Sequence, residues 1–223
     1  LPSRRFWLGF IVLGVLLLLV SWFWADEWLV NHSASLRAWF DRLPGAVRLV
    51  VVEGLWLFYL GYGLVFLTGL ARRDPRRLRA ALAYLAAQMV FSVLVVRAGK
   101  MLLGRPRPFV TDPAWWWLTA DPDHHALPSG HSADAAVGGV VTARFSGSAW
   151  LRAAALVLAL AVALGRVVQG EHYPSDVVAG GLIGCLGGTL AAALFQGRLG
   201  QRLSEKLLNR LTRNSIDSRA SSS

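Results

Sequence analysis

Apolar residues run almost unbroken through six stretches of this chain: 6–25, 48–70, 78–99, 129–145, 151–168 and 175–196. Each is close to the roughly 20 residues that carry a helix across the hydrocarbon core of a bilayer. The pattern predicts an all-α, polytopic membrane protein with six transmembrane helices. The fourth stretch is the weakest, because polar residues open it. The fifth and sixth are rich in Ala and Gly, which lets helix backbones approach closely. On the last, Gly180, Gly181, Gly184, Gly187 and Gly188 read as a packing stripe. Between the first two stretches, Leu36, Trp39, Phe40 and Leu43 recur at helical spacing among Arg37, Asp41 and Arg42. That predicts a short helix over 33–43 lying in the membrane interface. Trp115, Trp116 and Trp117 are expected at the same interface, where indoles collect. No polar linker divides the chain, so 1–214 reads as a single domain and 215–223 as a disordered or appended tail. Arg4 and Arg5 precede the first stretch as they would in a signal peptide. The apolar run is long and no small-residue cleavage site follows it, which predicts an uncleaved anchor.

Composition sharpens this reading. Of the 223 residues, 55% are hydrophobic and only 16% charged, which leaves too little polar surface for a soluble domain of this size. The net charge of +10 could suit nucleic acid, but the cations border apolar runs. Cationic cytoplasmic loops and contact with anionic lipid are the simpler reading, with no nucleic-acid partner and no obligate protein partner. Arg4 and Arg5, the cluster Arg72, Arg73, Arg76, Arg77 and Arg79, the pair Arg144 and Arg152, and the C-terminal Arg198, Arg202, Lys206, Arg210 and Arg213 all fall on one side of a six-span topology. That side is expected to be cytoplasmic, with both termini inside. Cys185 sits in an apolar, Gly-rich run and reads as a packed residue.

Three polar strings interrupt the apolar pattern, and the topology puts all three on the opposite, outer face. The first holds Lys100, Gly104, Arg105, Pro106, Arg107 and Pro108; the second Pro128, Ser129, Gly130, His131 and Ser132; the third Arg166, Glu171, His172, Tyr173, Pro174, Ser175 and Asp176. A phosphate ester brings about one to two negative charges and several strong acceptors. Lys100, Arg107 and Arg166 supply cations from three parts of the chain, and arginine adds a planar fork matched to phosphate oxygens. Ser129 is positioned to cap a helix whose free N–H groups would face an anion, and Gly130 leaves that approach open. His131, in the first turn, can pass a proton to a leaving oxygen. His172 precedes a proline-led helix start, and Asp176, four residues on, can bond one ring nitrogen and leave the other to attack phosphorus. Arg105 is read as a contact for a second phosphate or a head group, or as a surface residue; Glu53 as a partner of a catalytic-face cation, a head-group contact or a hydrated interfacial acid; and His125 as a head-group contact or a loop residue. His124 and His125 offer no third partner for a metal, so no metal site is expected.

These strings resemble the three-part signature of the type 2 phosphatidic acid phosphatase (PAP2) superfamily: Lys-x6-Arg-Pro, then Pro-Ser-Gly-His, then Ser-Arg-x5-His-x3-Asp. Lys100, Arg107 and Pro108 match the first, Pro128 through His131 the second, and Arg166, His172 and Asp176 the third. Gly165 stands where the family usually has Ser. The resemblance covers about residues 48–196. It implies a six-helix membrane phosphatase of the lipid-phosphatase branch, working without metal or other cofactor. His172 would be the nucleophile that forms a phosphohistidine, His131 the proton donor and Asp176 the orienting acid. Lys100, Arg107, Ser129, Gly130 and Arg166 would hold the phosphoryl oxygens. Expected substrates are a phospholipid or polyprenyl phosphate, foremost undecaprenyl diphosphate, phosphatidylglycerol phosphate or phosphatidate. A lipid A phosphatase and a lipid-to-lipid phosphotransferase are the enzyme alternatives. A lipid-binding or transport protein is the non-enzyme alternative.

Overall fold

A computed structural model describes residues 3–111 and 114–220, with side chains described as far as residue 210. Among the described residues the chain is helical and contains no strand. The first helix, α1, runs Arg4–Asp41 without interruption, with a π-helical segment at Ser21–Ala25. Ser3 starts it by accepting a hydrogen bond from the Phe6 N–H at 3.2 Å. The stretch 33–43, expected as a separate interfacial helix, therefore continues the first span. No turn residue stands between 25 and 33 to break it. Helices α2 (Gly45–Glu53) and α3 (Leu55–Ala71) divide the second apolar stretch with a 64° bend at Gly54. Helix α4 spans Pro75–Leu103 and contains a second π segment at Gln88–Val95. It opens on Asp74, whose carboxylate accepts from the Arg76 and Arg77 N–H groups, and Pro75 presets its first turn. Gly104, with φ of 57°, ends it in the left-handed region. Then follow α5 (Gly130–Phe145), α6 (Ala149–Val168), α7 (Pro174–Gln196) and α8 (Arg198–Ala220). Helix α8 carries the backbone to Ala220, across most of the stretch read as a tail; 221–223 lie outside the described residues.

Among the described residues four helices are long and apolar enough to cross a membrane, five when the bent pair α2–α3 counts as one span. The protein is thus an integral membrane protein by helix length and composition, and the expected six spans are met only in part. The difference lies in α5. Its 16 residues reach about 24 Å. Other helices surround it, and Ser132, Ala133, Ala135, Val137, Gly138, Gly139 and Val141 along its length are buried. A helix enclosed by protein needs neither the apolarity nor the full length of a lipid-facing one. The lipid-facing role falls to residues such as Leu8, Ile11, Leu60, Leu64, Val157 and Leu160, which are large, apolar and exposed. Lipid tails reward apolar burial little, so close packing holds the helices together. Helix α7 meets α5 through its glycines. A Cβ on Gly180 would lie 2.1 Å from the Ser129 carbonyl oxygen, and one on Gly184 would lie 2.2 Å from the Ala133 carbonyl oxygen. On the other side of α5, Tyr62 and Tyr84 stack at 3.9 Å, and the Tyr62 hydroxyl shares a 2.9 Å hydrogen bond with the Thr142 hydroxyl.

Candidate active site

The three polar strings meet at the end of the bundle where α4 stops and where α5 and α7 start. The loop after α4 folds back over the site: the Trp116 N–H donates to the Gly104 carbonyl at 2.9 Å, and the Ala126 N–H to the Arg105 carbonyl at 3.0 Å. The Ser129 N–H then donates to the Asp176 carbonyl at 2.9 Å, which ties the second string to the third. The close contact of Gly180 with Ser129 fixes the same junction from the side.

His172 lies between α6 and α7 and is 2% exposed. Its Nδ1 is 2.8 Å from the Ala126 carbonyl oxygen. A carbonyl can only accept, so Nδ1 carries the proton and the neutral ring presents Nε2 as a free lone pair. The expected bond between Asp176 and the ring is replaced by this one. The Asp176 Oδ2 stands 3.8 Å from Nδ1, beyond hydrogen-bond reach, and accepts instead from the Tyr173 N–H at 2.8 Å. Asp176 acts on the ring as a nearby charge and as the cap of α7. Burial pushes the His172 pKa below its ordinary value, and Asp176 opposes that shift.

The cations surround this histidine. The Lys100 ammonium donates to the His125 carbonyl at 2.8 Å, and its Cε is 3.9 Å from where a Cβ on Gly130 would sit. Arg107 donates from Nε to the Pro122 carbonyl at 3.1 Å and from Nη1 to the Glu171 carboxylate. Arg166 donates from Nη2 to the Val52 carbonyl at 3.0 Å, and its buried Nε has no partner among the described residues. The charges acting on His131 come from Arg166, His172, Lys100 and Arg107, which puts both histidines in one cationic neighbourhood. Ser129 takes the N-cap position of α5, but its hydroxyl accepts from the Ser132 hydroxyl at 3.0 Å and does not cap the backbone. By helix geometry the first-turn N–H groups of α5 have no intrahelical acceptor and remain open to an anion.

Arg105, His125 and Glu53 lie around this centre. Arg105, read as a head-group contact, is 7% exposed. It donates to Asp26 at 2.8 Å and to Asp176 and the Ser175 hydroxyl at 2.7 Å each. His125 bonds the Thr119 carbonyl through Nε2 at 3.0 Å and serves the site through its own carbonyl. Glu53 is exposed at the α2–α3 break and lines a pocket of ≈ 220 Å³ with Val52, Leu55, Trp56, Tyr59, His131 and Asp134. Across that pocket the Tyr59 hydroxyl donates to Asp134 at 2.5 Å. Gly165 faces α2: a Cβ there would lie 2.3 Å from Val51 Cγ1 and 3.0 Å from the Val51 carbonyl oxygen. Glycine is what lets α2 and α6 touch. Asp26 escaped the sequence reading, and Glu171 and Ser175, though within the third string, were given no role there. The one available signal was Asp26, an acid placed directly after an apolar run.

Comparison with known proteins gives a consistent outcome. A sequence model described as the PAP2 superfamily matches residues 78–199. An undecaprenyl-diphosphatase from Sulfolobus acidocaldarius is 26% identical over 61% of this chain and 68% of its own length. A lipid A 1-phosphatase from Rhizobium johnstonii is 32% identical over 74% of this chain and 68% of its own. The crystal structure of Aquifex aeolicus LpxE superposes with a TM-score of 0.52 at 20% identity, covering 72% of this chain and 93% of that one.

Proposed function

The chain belongs to the PAP2 superfamily and is a phosphatase of that kind; from this premise we propose that it removes phosphate from a membrane lipid through a phosphohistidine at His172. The observation that carries the reading is the Nδ1–H of His172 held on the Ala126 carbonyl, which leaves Nε2 unprotonated with Lys100 and Arg107 close by and Arg166 acting on the neighbouring His131. In the first step Nε2 bonds to phosphorus, the P–O bond to the leaving group breaks and His131 gives that oxygen a proton. In the second, His131 takes a proton from water, the water oxygen bonds to phosphorus, and inorganic phosphate leaves as the P–N bond breaks. The cations and the first-turn N–H groups of α5 hold the phosphoryl oxygens as charge builds on them. The site works on the outer, periplasmic face, opposite the arginine-rich loops.

Undecaprenyl diphosphate and lipid A 1-phosphate are the two substrates to weigh, and the pocket beside His131 favours the second. The leaving group of a diphosphate is itself a phosphate and would meet the carboxylates of Glu53 and Asp134. A sugar would meet the same groups as hydrogen-bond acceptors for its hydroxyls. The test is phosphate release by purified protein in detergent with a chelator, comparing lipid A, undecaprenyl diphosphate, phosphatidylglycerol phosphate and phosphatidate. Release that vanishes in His172→Gln, with acid-labile phosphate trapped on the wild-type chain during turnover, is the expected result. Full turnover by His172→Gln would refute the mechanism.

A further inference from the structure

We propose that Asp26, on α1, is a positioning residue for the reaction: it anchors Arg105 against Asp176 and so sets the charge beneath His172. The inference rests on His172 as the nucleophile. Asp26 is 7% exposed. Its Oδ2 accepts from Arg105 Nη2 at 2.8 Å and from the Ser175 hydroxyl at 2.5 Å, and its Oδ1 accepts from the Ser175 N–H at 2.9 Å. Arg105 turns its other nitrogen, Nη1, to Asp176 Oδ1 at 2.7 Å. The second oxygen of Asp176 holds the Tyr173 N–H, the residue next to His172. A continuous series of buried polar contacts thus runs from the first helix to the nucleophile's own turn.

The surroundings of Arg105 support the same conclusion. Its guanidinium lies 4.5 Å from the ring centroid of Trp22 and 4.1 Å from that of Tyr173. Trp22 and Asp26 stand four residues apart on α1, at the π segment Ser21–Ala25, so one helix face supplies both the ring and the carboxylate. These contacts leave Arg105 no freedom to swing toward a lipid phosphate. Trp22 and Asp26 also lie outside residues 78–199, so the first helix adds a working part that the matched segment lacks.

The charges say what the anchor does. One cation, Arg105, lies between two carboxylates, Asp26 and Asp176, leaving a surplus negative charge. His172 is faced by Asp176 from α7, by Lys100 from α4 and by Arg107 from the following loop, and it lies near His131 of α5. Three of those neighbours are cationic or can become so. The surplus from the Asp26–Arg105–Asp176 group offsets them when the attacked ring becomes positively charged.

Asp26→Asn keeps the shape of the side chain and removes its charge. With lipid A and undecaprenyl diphosphate assayed in parallel, kcat is expected to fall about tenfold while KM stays within about twofold. The acid limb of kcat/KM is expected to move to lower pH, because less negative charge faces the imidazolium. Wild-type kcat with an unmoved limb overturns the proposal. So does a loss of activity that matches a loss of folded protein and leaves the limb in place. Should Asp26→Asn not fold, Ser175→Ala removes only the hydroxyl between Arg105 and Asp26. A fall in its kcat at constant KM supports the anchor, and wild-type kinetics overturn it. His172→Gln separates the two levels: if it retains turnover, the nucleophile and this proposal fall together. If it is inactive while Asp26→Asn behaves as wild type, only the positioning role fails.

Discussion

At His172 a backbone carbonyl does what a carboxylate was expected to do. The carbonyl fixes the tautomer without adding charge, and burial then keeps the ring neutral below the ordinary histidine range near pH 6.5. Two pH effects follow with the same sign. The nucleophile stays unprotonated as pH falls through about 6.5, so the acid limb of kcat/KM is expected below that value, measured by phosphate release across pH. The unfolded chain binds the His172 proton more readily than the folded one between the lowered pKa and about 6.5. This histidine therefore contributes stability that is complete above that window and is lost as pH falls through it, readable from thermal unfolding in detergent. Arg107 makes a second residue-scale case. Its fork faces both the Pro122 carbonyl and Glu171, so Arg107→Lys, which keeps charge and loses the fork, is expected to reduce kcat/KM by about 10- to 100-fold. The residues legible in sequence were those that the fold gathers at one end of the bundle: Lys100, Arg107, His131, Arg166 and His172. Arg105 was misread because a cation near a membrane surface has the same sequence signature whether it meets a head group or two buried carboxylates. Only the fold brings Asp26 to it across 79 residues.

Helices were legible where lipid dictated their composition and illegible where protein did. Helices α4, α6 and α7 follow the apolar runs closely. The α5 run looked marginal because its neighbours, and not lipid, surround it. The 64° bend at Gly54 left no mark in an apolar stretch that continues through it. Position 165 shows how one element's residue is set by another's backbone. In sequence its glycine is a departure from the family's usual Ser; in the fold it is the contact point of α6 and α2. Introducing the family residue, Gly165→Ser, is therefore expected to lower activity, because it drives α2 away and takes the Val52 carbonyl from Arg166. Kinetics and melting temperature would both report it. Overpacking of this kind costs about 1–3 kcal/mol, and a gain in turnover would contradict the reading. Gly180→Val would strike harder, since the Ser129 backbone it meets cannot move without shifting the second string.

For the molecule as a whole, sidedness is the first thing to measure. Cys185 is the single cysteine, so a Cys185→Ala background allows one new thiol at a time. A membrane-impermeant reagent added to intact cells should label Asp123→Cys in the site loop, and label Ser146→Cys, at the far end of α5, only after permeabilisation. The reverse pattern would invert the proposed topology. The length of α1 carries one more consequence. Its apolar run ends where Asp26 begins, after about 20 residues, or roughly 30 Å of helix. Asp26 is joined to the turn that bears His172, so the proposed nucleophile is held at a fixed depth relative to that run. Longer acyl chains thicken the bilayer and lift lipid phosphates away from that depth; shorter ones bring them below it. Turnover in reconstituted vesicles should therefore peak at one acyl-chain length, and the thickness of the host membrane becomes part of the enzyme's specificity.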